Sequence, residues 1–263
     1  FMILIDAAGL KASRPNRPLF DDVSLTLSDG DRVGVVGING CGKSTLLRFL
    51  GREATPEAGE VRWGRGARVG FLTQQPILPD GSVRDAVGAG WEGEAMLDRL
   101  GMAALVDSRT DELSGGQAKR VALARLLCGE YEALILDEPT NHLDVDAKTW
   151  LLGFMRNYRG ALLVISHDLE LLDEAITRVL HLDRPGEENL GNLVEYKGTY
   201  TQYKTSRRLD EERLAKQANL QTKEIARLQA VVDRFGAKAT KAAMAHSKEK
   251  QIARLESQRV HVG

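Results

Sequence analysis

Eight consecutive residues, Gly37-Ile38-Asn39-Gly40-Cys41-Gly42-Lys43-Ser44, constrain this chain more than any other feature. They have the G-x-x-x-x-G-K-[ST] spacing of a phosphate-binding loop. The glycines let backbone N–H groups curl around phosphate oxygens where a Cβ would clash. The apolar run at residues 33–36 predicts a strand before the loop. Residues 44–50 predict a helix after it, whose N-terminus favours an anion. In that setting Gly37, Ile38, Asn39, Gly40, Cys41, Gly42, Lys43, Ser44 and Thr45 form a nucleotide-binding segment. Lys43 is expected to reach the β- and γ-phosphates of ATP, and Ser44 to ligate Mg²⁺.

The remaining pattern places this loop in an α/β layer structure. Residues 2–8 and 19–36 contain short apolar runs that read as strands, with Asp29-Gly30 as a turn. Residues 68–72 read as a further strand. Residues 133–136 and 161–165 are almost wholly apolar, as parallel strands buried on both faces must be. Helix-like segments alternate with them. Residues 79–112 carry short helical patches, and residues 114–128 predict a helix with Val121, Leu123, Ala124, Leu126 and Leu127 on one face.

The apolar run at 134–136 ends in Asp137-Glu138. Ligands of a parallel sheet sit beyond the carboxyl ends of its strands. Asp137 is thus placed to hold the Mg²⁺ shell, and Glu138 to polarise an attacking water. Leu113-Ser114-Gly115-Gly116-Gln117 opens the helix at 114–128. A capping serine and two glycines at a helix N-terminus make a second phosphate-binding surface.

These three motifs, in this order and spacing, resemble the ABC ATPase family. The resemblance implies further assignments. Gln74 corresponds to the family's Q-loop glutamine, near Mg²⁺ and the attacking water. Asn141-His142-Leu143-Asp144 corresponds to the D-loop, and His167 to the switch histidine that contacts the γ-phosphate. In this family two domains pack head to tail, so Ser114, Gly115, Gly116 and Gln117 would serve a nucleotide bound by a partner domain. The site of Lys43, Gln74, Asp137, Glu138 and His167 would need a second ABC domain, or a second copy of this chain, to be complete. Two positions depart from the family pattern. Lys11-Ala12-Ser13 stands where an adenine-stacking aromatic is usual, and Phe20 lies too close to the following strand. Cys41 stands where alanine or serine is usual.

Glu138-Pro139-Thr140-Asn141-His142-Leu143-Asp144 is similar to the ABC-F subfamily. So is Gly198-Thr199-Tyr200-Thr201-Gln202-Tyr203 followed by a charged helical segment. The expected layout is an ABC ATP-binding domain over residues 1–202 with a helical subdomain at about 79–128. An interdomain linker, an antiparallel helical hairpin, follows over 203–263. In the hairpin, a stripe of Leu209, Leu214, Ile225, Leu228, Val232 and Phe235 predicts the first helix, Gly236 the break, and residues 239–258 the second helix. Residues 197–263 hold 15 Lys+Arg against 7 Asp+Glu, although the whole chain has a net charge of −1. A basic tail on an acidic body suggests an anionic partner. Arg234, Lys238, Lys241, Lys248 and Lys250 cluster near the expected hairpin turn and are candidate RNA contacts.

The ABC-F resemblance implies two ATPase domains joined by the hairpin, and action on the ribosome and its tRNA in translation or antibiotic protection. A transporter ATPase subunit and a DNA-maintenance ATPase are the rival readings. No run approaches the roughly 18 apolar residues of a membrane span. Two distant cysteines, Cys41 and Cys128, suggest no disulfide framework or metal site, so a cytoplasmic setting is expected.

Overall fold

The computed structural model describes residues 2–88, 90–184, 190–235 and 242–258. Gly236, Lys238 and Lys241 lie outside them. The chain divides into two compact units, residues 1–203 and 204–263.

The first unit contains two sheets. Strands β1 (Ile3–Arg14) and β2 (Arg17–Ser28) form a long antiparallel hairpin, and β4 (Ala58–Trp63) pairs with β1. Both hairpin strands run well beyond the short apolar runs in the sequence, because Asn16 turns the chain with φ 61° and continuous pairing extends the ladder. The larger sheet has the order β5-β6-β7-β3-β8-β9. Its members are β3 (Arg32–Val36), β5 (Val69–Leu72), β6 (Ala133–Asp137), β7 (Ala161–Ile165), β8 (Arg178–Asp183) and β9 (Asn192–Lys197). The first five in that order run parallel, and β9 is antiparallel to β8. Every residue of β6 and β7 is buried, as their apolar runs at 133–136 and 161–165 require, and the burial extends to Asp137 at the end of β6.

Helices α1 (Lys43–Leu50), α5 (Val145–Asn157) and α6 (Leu169–Ala175) accompany this sheet. Between β5 and β6 the chain forms α2 (Val83–Val87), α3 (Trp91–Arg99), two short 3-10 turns and α4 (Gly115–Leu127). Leu97, Leu100, Met102, Val121, Leu123 and Ala124 pack these helices into one core with Leu134 and Leu136 of β6.

Helix α7 spans Tyr200–Phe235, so it starts earlier than the polar composition suggests. Its first turn belongs to the first unit. Tyr203 is buried among Tyr196, Tyr200 and His181, with ring centroids 5.1 to 5.9 Å apart. The Thr199 hydroxyl accepts from the N–H of Gln202, and the Gln202 side chain accepts from the N–H of Thr199, a reciprocal cap. In the second unit α8 (Ala242–Ser257) runs antiparallel to α7. Leu228 and Val232 pack against Ile252, and the Gln221 amide donates to the Gln258 carbonyl. Leu209 and Leu220, farther from this contact, are exposed.

Candidate active site

The parallel strands bring the sequence motifs to one edge of the sheet. Ile165 of β7 pairs with Val35 of β3 on one side and Asp137 of β6 on the other. The phosphate loop, Glu138 and His167 each leave the sheet within two residues of this register. On the far side, Leu72 of β5 pairs with Leu136, so Gln74 leaves beside the acid pair and is exposed.

The loop is shaped by what surrounds it. A Cβ on Gly37 would lie 2.6 Å from the Leu182 carbonyl oxygen and 2.8 Å from Cys41 Sγ. Gly42 has φ 109°, and a Cβ there would lie 3.0 Å from the Phe20 ring. Phe20 is fully buried, edge-on to Phe49, and supports the loop from beneath, so its ring is unavailable for stacking on a base. Cys41 is also fully buried, and burial pushes its thiol pKa up, which makes it an inert packing group. Ile38, Asn39 and Gly40 are exposed, while Ser44 and Thr45 on the first turn of α1 are half-buried. Lys43 Nζ donates to the carbonyls of Gly37 at 2.7 Å and Ile38 at 3.0 Å.

The N-termini of α1 and α3 have no side-chain cap, whereas Ser82, Ser114, Asp144 and Asp168 cap α2, α4, α5 and α6. Uncapped donors, glycines that admit no Cβ and a lysine held over the loop fit a polyphosphate. Asp137 is 2% exposed at its strand end, and Ser44 supplies a hydroxyl on the helix turn. A carboxylate and a hydroxyl are the oxygen donors that Mg²⁺ takes alongside phosphate.

Glu138 is the most constrained residue of the site. It is 5% exposed and has φ 52°, a left-handed conformation that costs a non-glycine residue about 1–3 kcal/mol. Its N–H donates to the Ile165 carbonyl at 2.8 Å. Its carboxylate lies 3.2 Å from His167 Nε2 and accepts from the His167 N–H at 3.3 Å. Burial raises the Glu138 pKa; His167 opposes the shift and Asp137 reinforces it. A carboxylate so placed is primed to accept a proton.

One charged residue escaped the sequence reading. Lys119 of α4 is 5% exposed, and burial lowers its pKa against the pull of Asp137 and Glu138. A lysine in phase with Leu123 and Leu126 on the helix's apolar face was the available signal. Ser114 and Gln117 are mutually engaged: the Ser114 hydroxyl accepts from the Gln117 N–H at 3.2 Å, and the Gln117 side chain accepts from the Ser114 N–H at 2.9 Å. The N–H groups of Gly115 and Gly116 occupy the first turn between them.

A family model described as ABC transporter matches residues 20–141, and an extension model with the same description matches residues 187–261. The chain belongs to the ABC-F subfamily of ABC ATPases. The probable ATP-binding protein YheS of Haemophilus influenzae is 33% identical over 296 residues, covering 96% of this ABC-F chain and 45% of that protein. YheS of Escherichia coli K12 is 31% identical over 297 residues with the same coverage. The energy-dependent translational throttle protein EttA of H. influenzae is 31% identical over 258 residues, covering 79% of this chain and 45% of its own length. The ABC-F chain thus spans about half the length of the curated relatives it matches. Among solved structures, RNase-L Inhibitor has a TM-score of 0.64 at 24% identity over 75% of this chain and 40% of its own. A bacterial Atm1-family ABC exporter with ATP bound has a TM-score of 0.64 at 24% identity over 82% and 42%. These two likenesses show the ABC ATPase fold. No described helix is long and apolar enough to cross a membrane.

Proposed function

We propose that this chain is the ATP-binding half of a cytoplasmic ABC-F protein that hydrolyses ATP and acts on the ribosome. The observation that carries the hydrolytic part is the buried Glu138 carboxylate, paired with His167 beside the uncapped phosphate loop. Residues 37–45 bind ATP, with Lys43 leaving the Gly37 and Ile38 carbonyls for the phosphates. Ser44, Gln74 and Asp137 would hold Mg²⁺. Bound Mg²⁺ neutralises charge on the phosphates. Glu138 orients water and accepts its proton, while His167 faces the γ-phosphate.

In this reading residues 1–202 are the ATPase domain and residues 203–263 the linker. Ser114, Gly115, Gly116 and Gln117 complete a site on a second ABC domain or a second copy. A ribosomal target rests on the likeness to EttA, whose name gives it a role in translation, and on the basic hairpin. Arg234 lies in the last turn of α7, and Lys248 and Lys250 lie on α8; these side chains are the candidate contacts to RNA phosphates. Lys238 and Lys241 extend the same cluster in sequence.

Glu138→Gln should retain ATP binding and abolish turnover, because the amide keeps the shape but cannot take the proton. Ribosome co-sedimentation of the full-length Glu138→Gln protein tests the target. Retention with ATP and release with ADP is expected. No retention in either nucleotide at low salt would reject the ribosome, and binding to duplex DNA instead would favour DNA maintenance.

A further inference from the structure

The order of strands in the larger sheet gives the proposed nucleotide a direction. The acid pair and His167 close β6 and follow β7, and both strands lie on one side of β3. Strands β8 and β9 lie on the other side. The γ-phosphate is the end that must meet Glu138 and His167. The nucleoside, at the opposite end of the same molecule, therefore extends from the phosphate loop toward the β8–β9 side.

The β1–β2 hairpin is tied down on that side. The Arg184 guanidinium, just past the end of β8, donates to the Pro18 carbonyl at 2.6 Å. The Gly191 N–H, just ahead of β9, donates to the Leu19 carbonyl at 2.7 Å. A Cβ on Gly42 of the phosphate loop would meet the Phe20 ring at 3.0 Å and Leu19 Cβ at 3.5 Å. The hairpin is thus fixed against the loop through residues 18–20. Arg17 lies three residues, about 10 Å, along β2 from Phe20. Arg14 and Arg17 are the last cross-strand pair before the Pro15-Asn16 turn.

The hairpin tip offers a base no ring. Residues 11–19 include no aromatic side chain, and Phe20 is fully buried. Arg17 is half-buried and has contacts of its own. Arg14 is exposed, and its side chain makes no hydrogen bond or ion pair with any described residue. A guanidinium is planar, delocalised and weakly hydrated, and it lies flat on aromatic faces. Nucleobases are received on arginine planes as well as on rings.

We infer that Arg14 stacks its guanidinium plane on the base of the bound nucleotide and sets the base selectivity of this site. The inference rests on the reading of residues 37–45 as the phosphate site. A stacked plane grips the face of a base and reads none of its edge groups. Adenine and guanine should therefore be held alike.

Isothermal titration calorimetry of the 263-residue chain with MgATP, MgGTP and magnesium tripolyphosphate tests this. Tripolyphosphate fills the phosphate loop and leaves the hairpin tip empty. The wild-type chain should bind ATP and GTP within about threefold of each other, and tripolyphosphate more weakly. Arg14→Ala and Arg14→Lys should each weaken ATP binding about 5- to 10-fold, since lysine keeps the charge but loses the plane. Arg14→Tyr should match or exceed the wild-type affinity, because a ring restores the face without the charge. Tripolyphosphate binding should be the same in every variant. Unchanged ATP affinity in Arg14→Ala would overturn the inference. So would an equal loss of ATP and tripolyphosphate affinity, which would make Arg14 a phosphate contact. A preference for ATP over GTP above about tenfold would overturn it too, by requiring a group that reads the base edge. A wild-type chain that binds neither ATP nor tripolyphosphate would reject the phosphate site itself and the inference with it. Binding of tripolyphosphate as tightly as ATP would reject the stacking alone.

Discussion

Lys43 in this structure donates to the Gly37 and Ile38 carbonyls, contacts that a triphosphate would replace under the proposed function. The loop is therefore preformed, and binding exchanges one set of charge-assisted hydrogen bonds for another. Nearby, the start of α6, just after His167, depends on a different lysine. Lys148 Nζ lies 2.8 Å from Asp168 and 3.0 Å from Glu170. Burial alone would raise the Asp168 pKa, but hydrogen bonds from Lys148 and the Leu171 N–H bring it below the usual carboxylate range. A depressed folded-state pKa gives stability that is present above the unfolded value near 4 and is lost as pH falls through the folded value. Lys148→Met is therefore expected to lower stability by about 1 kcal/mol at pH 7. In thermal melts across pH, its deficit should shrink below about pH 4 as Asp168 protonates. A deficit independent of pH would assign the loss to packing instead.

At the level of elements, the first turn of α7 is the best-anchored part of that helix. The Thr201 N–H and hydroxyl both donate to Asp173 of α6 at 2.8 Å, and Tyr203 inserts among three other rings. Tyr203→Ala should cost about 3 kcal/mol in thermal unfolding. Its amides at 200–204 should exchange with solvent faster, while mant-ATP binding stays unchanged. Unaltered exchange would show that the caps alone hold the turn. Helix α4 illustrates how much of an element is legible. Its span and its Ser114 cap follow from local sequence, because a capping box is a contact between residues three apart. Its burial of Lys119 against Asp137 and Glu138 does not, since that depends on which strand the helix lies over.

For the whole molecule, the proposed composite site makes activity a matter of assembly. This 263-residue chain alone should bind mant-ATP at any concentration. Its ATP turnover per chain should rise with concentration as copies pair, and fall toward zero on dilution. Losing the partner's preorganised donors removes roughly 3–4 kcal/mol of transition-state stabilisation per donor. Concentration-independent turnover would mean that one chain forms a complete site. If the basic hairpin meets RNA phosphates, ribosome binding should also weaken steeply between about 50 and 200 mM salt.

The sequence by itself determined which residue types reach this edge of the sheet. Glycines at fixed spacing, a lysine, a serine and an acid pair after an apolar run are local patterns with local physical causes. It also determined the kind of layer they sit in, because parallel strands covered on both faces are largely apolar. The tertiary structure alone decided which motifs meet. Only the register of β7 between β3 and β6 brings His167 to Glu138 across 29 residues of chain. Only the packing of α4 beside the turn after β6 gives Gly116 its imidazole neighbour and Lys119 its acidic one. Such contacts join residues far apart in the chain, and no periodicity or spacing records them.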